Sequence, residues 1–526
     1  MDYLRSRIEL MSDSKSECDL ETNDPATPHA EYVSLIAKGA GIIFVGIVAS
    51  GGLRYLFQVI VARHVGVELF GLFSLGLAVF NIAQVMTSQG MGRGVVRYVA
   101  LYQGKGDWGR VRGTIYFAAA LSLGGSIVAS LLLVALSKAL AANVFHAPGL
   151  TNVLRFFAIA IPFSALTTVF LSSTQALRIM RYNVYVRDLF ELLSRIALVI
   201  WIFLLGWKLW GAIFALVISV IAGTFLSFFF YRKAFHPILG DSVRPIFEPR
   251  GFLAFCWPLF LANGFYLLET WMSTFMLGYF ATPKAVGVFS AAYRTSLLVQ
   301  GILLSFATMF APIISDLHRR RENKELESLF KTVAKWVFSL SLPALLLMAI
   351  FSREIMAIFG SDFAVGATSL IVLSLGQLMN SVSGPLGVMI DMSGRSKLTL
   401  LTSVLIFLLQ TGLCFLLIPQ YGIMGAALAK AISVSFQRAI RLLQVHLILR
   451  MHPFRVEFLK PLFAGGVSWL VLSLVRIPVL QVDNLMLLLV LGSSIFLAIY
   501  GLTLYQLGLD EEDKVILKKI RTRFAF

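Results

Sequence analysis

Apolar runs of about 20 residues follow one another along almost the whole chain, separated by short polar links. They fall at 36–61, 71–90, 112–136, 152–174, 188–206, 209–231, 253–278, 285–312, 334–351, 365–390, 398–418, 422–447, 459–476 and 484–507. Each is about long enough to cross a bilayer. Lipid offers backbone groups no hydrogen-bond partner, so these runs must be helices. The pattern predicts an all-α polytopic membrane protein with about fourteen transmembrane helices.

The links alternate in charge. Those after helices two, four, six and eight carry Arg93, Arg97, Lys105, Arg110 and Arg112; Arg178, Arg181 and Arg187; Arg232, Lys233, Arg244 and Arg250; and Arg319, Arg320, Arg321, Lys324 and Lys331. The alternate links hold about one basic residue each: Arg63, Lys138, Lys208, Lys284, Arg353 and Arg476. Basic loops stay in the cytoplasm, so the asymmetry predicts that the charged loops and both termini are cytoplasmic.

Two of the bare links share a pattern. Ala62-Arg63-His64-Val65-Gly66 leads into Gly71-Leu72-Phe73-Ser74, and Gly287-Val288-Phe289-Ser290 repeats the second part 216 positions later. Gly211-Ala212, Ala215 and Ile218-Ser219 recur as Gly425-Ala426, Ala429 and Ile432-Ser433, and Arg181 recurs as Arg395, each 214 positions apart. Ordered anchors at nearly one offset predict a duplicated chain with two six-helix lobes. Six helices per copy keep both copies in one orientation, so the lobes should be related by an axis along the membrane normal. The predicted organisation is a flexible cytoplasmic tail (1–32), an N-lobe (33–232), a cytoplasmic linker (233–250) and a C-lobe (251–447). Two extra helices (457–508) and a cytoplasmic tail (509–526) follow. The first tail has no apolar core, so no signal peptide is expected.

Composition adds exclusions. Only 14% of residues are charged, against a mean hydropathy of +0.82. The net charge of +17 is accounted for by basic cytoplasmic loops, and no nucleic-acid partner is expected. Cys18, Cys256 and Cys414 are scattered, with no metal or redox spacing, and no cofactor or metal is expected. The run Phe228-Phe229-Phe230 reads as lipid-facing surface. Pro162, Pro258, Pro343 and Pro385 read as bends or hinges.

Several motifs together resemble the oligosaccharide flippases of the polysaccharide-biosynthesis family, within the multidrug/oligosaccharidyl-lipid/polysaccharide exporter superfamily. They are Ala62-Arg63-x-x-Gly66 with Gly71-x-Phe73-Ser74, and Gly90-Met91-Gly92-Arg93 with Arg97. Trp257-Pro258-Leu259 and the run Pro419 to Ala427 complete the set. The resemblance covers about residues 34–450. It implies two six-helix lobes in a V, alternating access to a central cavity, and a polyprenyl-pyrophosphate-linked oligosaccharide moved from the cytoplasmic to the outer leaflet of the plasma (inner) membrane. The superfamily also contains cation-coupled drug antiporters and the lipid II flippase.

Charges deep in apolar helices are costly and mark function by default. Five lie well inside: Arg54, Arg195, Glu269, Arg294 and Lys430. Arg54, Arg195, Arg294 and Lys430 are candidates for a cationic cavity holding the diphosphate head group, since a guanidinium meets phosphate bidentately. Arg294 and Lys430 have no nearby acid in sequence and are the foremost candidates. Glu269 lies one duplication offset from Arg54, so the two could meet across the lobes as a latch or as a moving part of coupling. Blander readings stand beside these. Glu191 precedes Arg195 by one turn and could neutralise it, Asp391 and Arg395 could pair in the same way, and Arg438 and Arg441 could snorkel to the cytoplasmic face.

The expected function is therefore flipping of a lipid-linked oligosaccharide, beside membrane lipids and polysaccharide polymerase or glycosyltransferase machinery, by a monomer. The alternatives are a cation-coupled small-molecule antiporter of the same fold, or a lipid II flippase. The antiporter branch wants an acidic cluster for Na⁺ or H⁺. The first lobe offers Asp188 and Glu191, and the second Glu269. An enzyme is not expected: the chain has no paired carboxylates, phosphate-binding glycine loop or Ser/His/Asp set.

Overall fold

The computed structural model describes residues 28–239, 243–393, 395–476, 484–508 and 510, and every regular element among them is helical. The long helices are α1 (Pro28–Val65), α2 (Val67–Gly104), α3 (Trp108–Ala139), α4 (Leu150–Ala176), α5 (Glu191–Leu204), α6 (Leu209–Leu239) and α7 (Pro249–Phe280). They continue as α8 (Pro283–Arg320), α9 (Asn323–Ile350), α10 (Ser361–Val382), α11 (Ser396–Tyr421), α12 (Ile423–Leu449), α13 (Leu459–Arg476) and α14 (Leu485–Gln506).

Among the described residues, twelve helices are long and apolar enough to cross a membrane. The two that fall short of the fourteen expected are α5 and α12. Helix α5 has only 14 α-helical residues, preceded by a π-helical turn at Val184–Phe190. Helix α12 is 27 residues long but carries Lys430, Arg438 and Arg441, which lower its hydropathy. The run 365–390 is not one helix. Helix α10 stops at Val382, Gly384 takes φ +62°, and a short helix, Leu386–Met392, starts after Pro385. Pro385 thus ends a helix, whereas Pro162, Pro258 and Pro343 lie inside α4, α7 and α9.

Helix α1 begins at Pro28, inside the segment expected to be a tail, and residues 1–27 lie outside the described residues. The same holds for 477–483 and for the C-terminal tail apart from Asp510. Helices α1 and α2 meet at the single residue Gly66, whose φ of +82° only glycine adopts cheaply. The matching joint between α7 and α8 uses different chemistry: the Thr282 hydroxyl accepts from Ala285 N, and Pro283 opens the helix.

The recurring Gly-x-Phe-Ser segments come face to face where α2 crosses α8. A Cβ on Gly71 would lie 1.7 Å from Pro283 O and 3.2 Å from Gly287 N; one on Gly287 would lie 2.2 Å from Val67 O and 3.2 Å from Gly71 N. Below this crossing, a core shared by the two halves of the chain includes Phe57, Phe70, Phe73, Phe157, Phe289, Phe359 and Phe363. The run Gly90-Met91-Gly92-Arg93-Gly94 sets α2 between two neighbours. Gly90 and Gly94 face Cys256 of α7, and Gly92 faces Thr168 and Ser172 of α4. Gly211 packs against Ile202 and Phe203 of the preceding helix, and Gly425 packs against Leu417 of its own preceding helix.

The linker is fastened at the end of the bundle that carries the basic loops. Ile246 N donates to Gly109 O at 2.9 Å, Arg112 donates to Val243 O at 2.9 Å, and Arg110 pairs with Glu248 at 2.9 Å. Tyr102 donates to Glu248, Tyr98 donates to Gly251 O at 2.8 Å, and Arg97 lies 4.3 Å from the Phe255 ring centre. Residues 240–242 lie outside the described residues. Helices α13 and α14 dock on α9: Gly465 meets Leu342 and Leu346, Gly492 meets Phe351, and Tyr500 donates to Ser339 O at 2.8 Å. Asp510 closes this hairpin, 2.7 Å from Lys335 and 2.5 Å from Lys460.

The outer wall is apolar, as a lipid-facing surface requires: Trp201, Leu204, Phe225, Trp469 and Leu470 are all more than half exposed. Within the phenylalanine run, Phe228 and Phe229 are exposed, but Phe230 turns inward and stacks on Tyr182 at 4.4 Å.

Candidate functional site

The five deep charges are distributed over three places. The first is a cavity of about 530 Å³ between α1 and α8, lined by Arg54, Tyr55, Gln58, Arg294 and Gln300 together with apolar residues and three glycines. The Tyr55 hydroxyl and Thr295 Oγ1, 3.1 Å apart, tie the two helices together beside it. Gly51, Gly52 and Gly301 keep the walls free of side chains. Two guanidiniums therefore face one space, which suits a polyanion. Arg54 spends one arm on Asp188 of the π turn before α5, at 2.8 Å. Arg294 lies 5.6 Å from the Trp271 ring centre and makes no hydrogen bond or ion pair among the described residues. The Gln58 Oε1 is buried in the same wall without a hydrogen-bond partner among the described residues. Val48, Leu298 and Leu304 at the cavity's edge are exposed apolar residues, so the space borders the lipid-facing wall.

The second place lies inside the first half. Arg187, Glu191 and Arg195 share a polar pocket of about 150 Å³ with Asn81, Gln84, Ser164 and Thr167. Arg195 donates to Ser219 Oγ at 3.2 Å and lies 5.6 Å from the Phe57 ring centre. It makes no ion pair with Glu191, which packs against Gly223 of α6 instead. Arg187 donates to Thr168 Oγ1 at 2.7 Å. Arg195 is thus a neighbour of the α1–α8 cavity rather than part of its lining.

The third place is in the second half and is fully buried. Lys430 Nζ lies 3.3 Å from Glu269 Oε1, 3.2 Å from Glu269 O and 3.3 Å from Gln410 Oε1. The face of Tyr293 lies 5.8 Å away. Gln410 Nε2 donates to Glu269 O at 2.9 Å and Ser273 Oγ at 3.1 Å, and Gln437 donates to Glu269 Oε2 at 3.4 Å. The pairing of Glu269 with Arg54 is therefore not made: each has found an acid or base within its own half of the chain. Lys430 has an acidic partner after all, supplied by α7 from 161 positions away.

One further expectation is corrected. Asp391 and Arg395 do not share a helical turn, because the short helix ends at Met392, and Asp391 accepts from Thr399. Arg438 and Arg441 are partly buried near the end of α12. The Nε of each is buried without a hydrogen-bond partner among the described residues, and the Arg441 guanidinium packs on Gly387 of the short helix. Sequence reasoning named Asp188 as an acid of the first lobe but not as the partner of Arg54, and it missed Gln410, Gln437 and Tyr293. Amides in apolar runs were a usable signal, since an uncharged amide in lipid also needs partners.

A fourth space, about 690 Å³, lies between α2, α3 and α7. It is lined by Met86, Met91, Leu121, Leu253, Trp257 and Phe260 among others, with no charged residue. Among the described residues, no cluster of His, Cys, Asp or Glu could hold a metal ion.

Comparison with known proteins agrees with this architecture. Residues 36–318, more than half of the chain, match the profile of the polysaccharide biosynthesis protein family, and residues 258–416 match the MatE profile. A probable low-salt glycan biosynthesis flippase, Agl15 of Haloferax volcanii, is 29% identical over 165 residues, covering 31% of this chain and 35% of that protein. The probable flippase AglR of the same organism is 24% identical over 200 residues, covering 38% and 40%. The matched stretches thus span less than half the length of either relative. A lipid II flippase, MurJ, in an inward closed conformation superposes with a TM-score of 0.70 at 16% identity, covering 88% of this chain and 97% of that one. An inward-facing multidrug transporter of the MATE family gives 0.62 at 16% identity, covering 78% and 98%. These superpositions establish the fold. Family members are transporters and not catalysts, and by its sequence and its helical architecture the chain belongs to the polysaccharide biosynthesis protein family.

Proposed function

We propose that the chain flips a polyprenyl-pyrophosphate-linked oligosaccharide from the cytoplasmic to the outer leaflet of the plasma membrane. The observation that carries this reading is the α1–α8 cavity, where Arg54 and Arg294 face one space at the edge of the lipid-facing wall. A diphosphate needs a positive, donor-rich cradle, while its lipid tail needs a path that never leaves apolar surroundings. The cavity supplies the first, and the exposed Val48, Leu298 and Leu304 supply the start of the second. The likeness to Agl15, a probable glycan biosynthesis flippase, supports the same substrate class.

The reading carries an architecture with it. Helices α1–α6 and α7–α12 form two lobes related by a pseudo-twofold axis, with α13 and α14 added outside. The reciprocal contact of Gly71 and Gly287 supports this, because a twofold contact requires each partner to touch the other's equivalent. The basic end, with both termini, is cytoplasmic, and the Gly71–Gly287 crossing closes the outer end. Alternating access then opens that crossing. Partners are the lipid-linked glycan, membrane lipids and the machinery that builds or polymerises the glycan.

A cation-coupled antiporter needs an acid free to take up Na⁺ or H⁺. Glu269, the deep acid of the second half, is already neutralised by Lys430, which weighs against that alternative.

The test uses purified protein in liposomes containing a short fluorescent polyprenyl-pyrophosphate oligosaccharide in both leaflets. Quenching of outer-leaflet label should run to completion only with the protein and only with the pyrophosphate present. Label locked in the inner leaflet, together with cation-driven uptake of small organic cations, would overturn the reading.

A further inference from the structure

We propose that Lys430 is a resident counter-ion: its ammonium fills a monovalent-cation site in the second half, so this half needs no diffusible cation. The inference deepens the proposed function by assigning how the buried acid of that half is balanced.

The geometry is that of a coordinated cation. An ammonium has three N–H donors and no acceptor. Lys430 Nζ is offered three oxygens: one carboxylate, one backbone carbonyl and one side-chain amide, at 3.2–3.3 Å. The Tyr293 ring closes a further side, where a cation meets the negative face of the π system. The three oxygens come from α7 and α11, and the cation itself from α12, so the site joins three helices.

The oxygens are held in place by their own partners. Gln410 Nε2 donates to Glu269 O and Ser273 Oγ, which turns Gln410 Oε1 toward Lys430. Gln437 holds the second carboxylate oxygen of Glu269. Both charged side chains are 6% exposed, so each must be balanced inside the protein. A pair that merely neutralised itself would need one contact. Here a carbonyl and an amide oxygen also point at the cation, and these are ligands that alkali ions take as readily as an ammonium does. Lys430 thus stands where a free ion would otherwise have to bind.

The consequence is that deleting the tether, and not the charge balance, should expose the site. Lys430→Ala leaves Glu269, its carbonyl and Gln410 around a space the size of the lost propylammonium. The experiment measures thermal unfolding of the purified full-length protein in detergent, with N-methyl-D-glucamine as the reference cation. Lys430→Ala should lower Tm by about 5 °C or more, since one charge of a buried pair is left alone. Methylammonium, Na⁺ or K⁺ at tens of millimolar should restore at least half of that loss, while leaving wild type unchanged.

A second pair of variants covers the case in which Lys430→Ala does not fold. Glu269→Gln with Lys430→Met removes both charges at once and should be more stable than either single substitution. The inference is overturned if wild type itself gains Tm from Na⁺ or K⁺. It is also overturned if none of the three cations rescues Lys430→Ala, or if the double substitution costs the sum of the singles. Unfolding needs no substrate. A protein that passes this test but moves no lipid-linked glycan would overturn the proposed function and leave the resident counter-ion standing.

Discussion

Gly71 and Gly287 face each other across the crossing of α2 and α8, and neither has room for a side chain. A methyl on Gly71 would fall 1.7 Å from Pro283 O, and one on Gly287 would fall 2.2 Å from Val67 O. Because these obstacles are backbone atoms, neither can be relieved by turning a side chain. Gly71→Ala and Gly287→Ala should each destabilise the closed crossing by about 1–3 kcal/mol, the usual cost of overpacking. One separation of α2 from α8 relieves both clashes, so the double substitution should cost much less than the sum. Thermal unfolding of the four proteins tests this. Gly124→Ala, which meets nothing within 4 Å in the middle of α3, should be neutral or slightly stabilising.

Arg294 should carry more of the substrate contact than Arg54. Arg54 is half exposed and already gives an arm to Asp188, whereas Arg294 lies beside the Trp271 ring and makes no hydrogen bond or ion pair among the described residues. A charge-assisted hydrogen bond contributes about 1.5–3 kcal/mol, so Arg294→Ala should slow flipping about tenfold or more. Arg54→Ala should slow it less, and Arg294→Lys should be intermediate because it keeps the charge and loses the fork. All three should elute as monodisperse protein. Wild-type rates in both alanine variants would remove the cavity from the substrate path.

The C-terminal hairpin should be acid-labile. Burial opposes ionisation of Asp510, but Lys335 and Lys460 together outweigh it and hold the carboxyl below the usual carboxylate range. A depressed folded value gives stability that is present above about pH 4, the ordinary value, and is lost as pH falls through the folded one. Asp510→Asn should remove this dependence and loosen α14 at neutral pH. Hydrogen exchange of residues 485–508 between pH 3 and 7 would show it; identical profiles for the two proteins would count against the clamp.

The linker contact is as intolerant of bulk as the glycine crossing. A Cβ on Gly113 would lie 1.9 Å from Ile246 O. Gly113→Ala should therefore release residues 243–248 and make them cleavable by trypsin at Arg244, with little change elsewhere. Resistance equal to wild type would show that the linker is held by its other bonds alone.

The sequence carried the helices, their links and the family likeness, because each rests on local pattern. Gly-x-Phe-Ser could be read as a repeat but not as a contact, since nothing in either copy says that it meets the other. The deep charges were visible as five isolated residues. Their pairing was not, because a recurring offset along the sequence says nothing of which positions meet in space. Glu269 lies 215 positions from Arg54, close to the offset of the recurring motifs, yet its partner is Lys430, reached across α7 and α12. Arg195 was readable as deep but not as turned toward Ser219, since that depends on how α5 packs on α6. The break at Gly384-Pro385 was hidden by apolar residues on both sides of it.

The fastening of residues 243–248 onto α2 and α3 makes the covalent bond between the two halves redundant. Ile246, Arg110, Arg112 and Tyr102 hold that junction by hydrogen bonds and ion pairs, and Gly71 with Gly287 hold the opposite end by packing. Fragments 1–241 and 242–526, made as separate polypeptides in one cell, should find each other in the membrane and purify together. A single transporter of this kind could then be encoded as two genes, or fused from two, without redesign of the surface along which its halves meet.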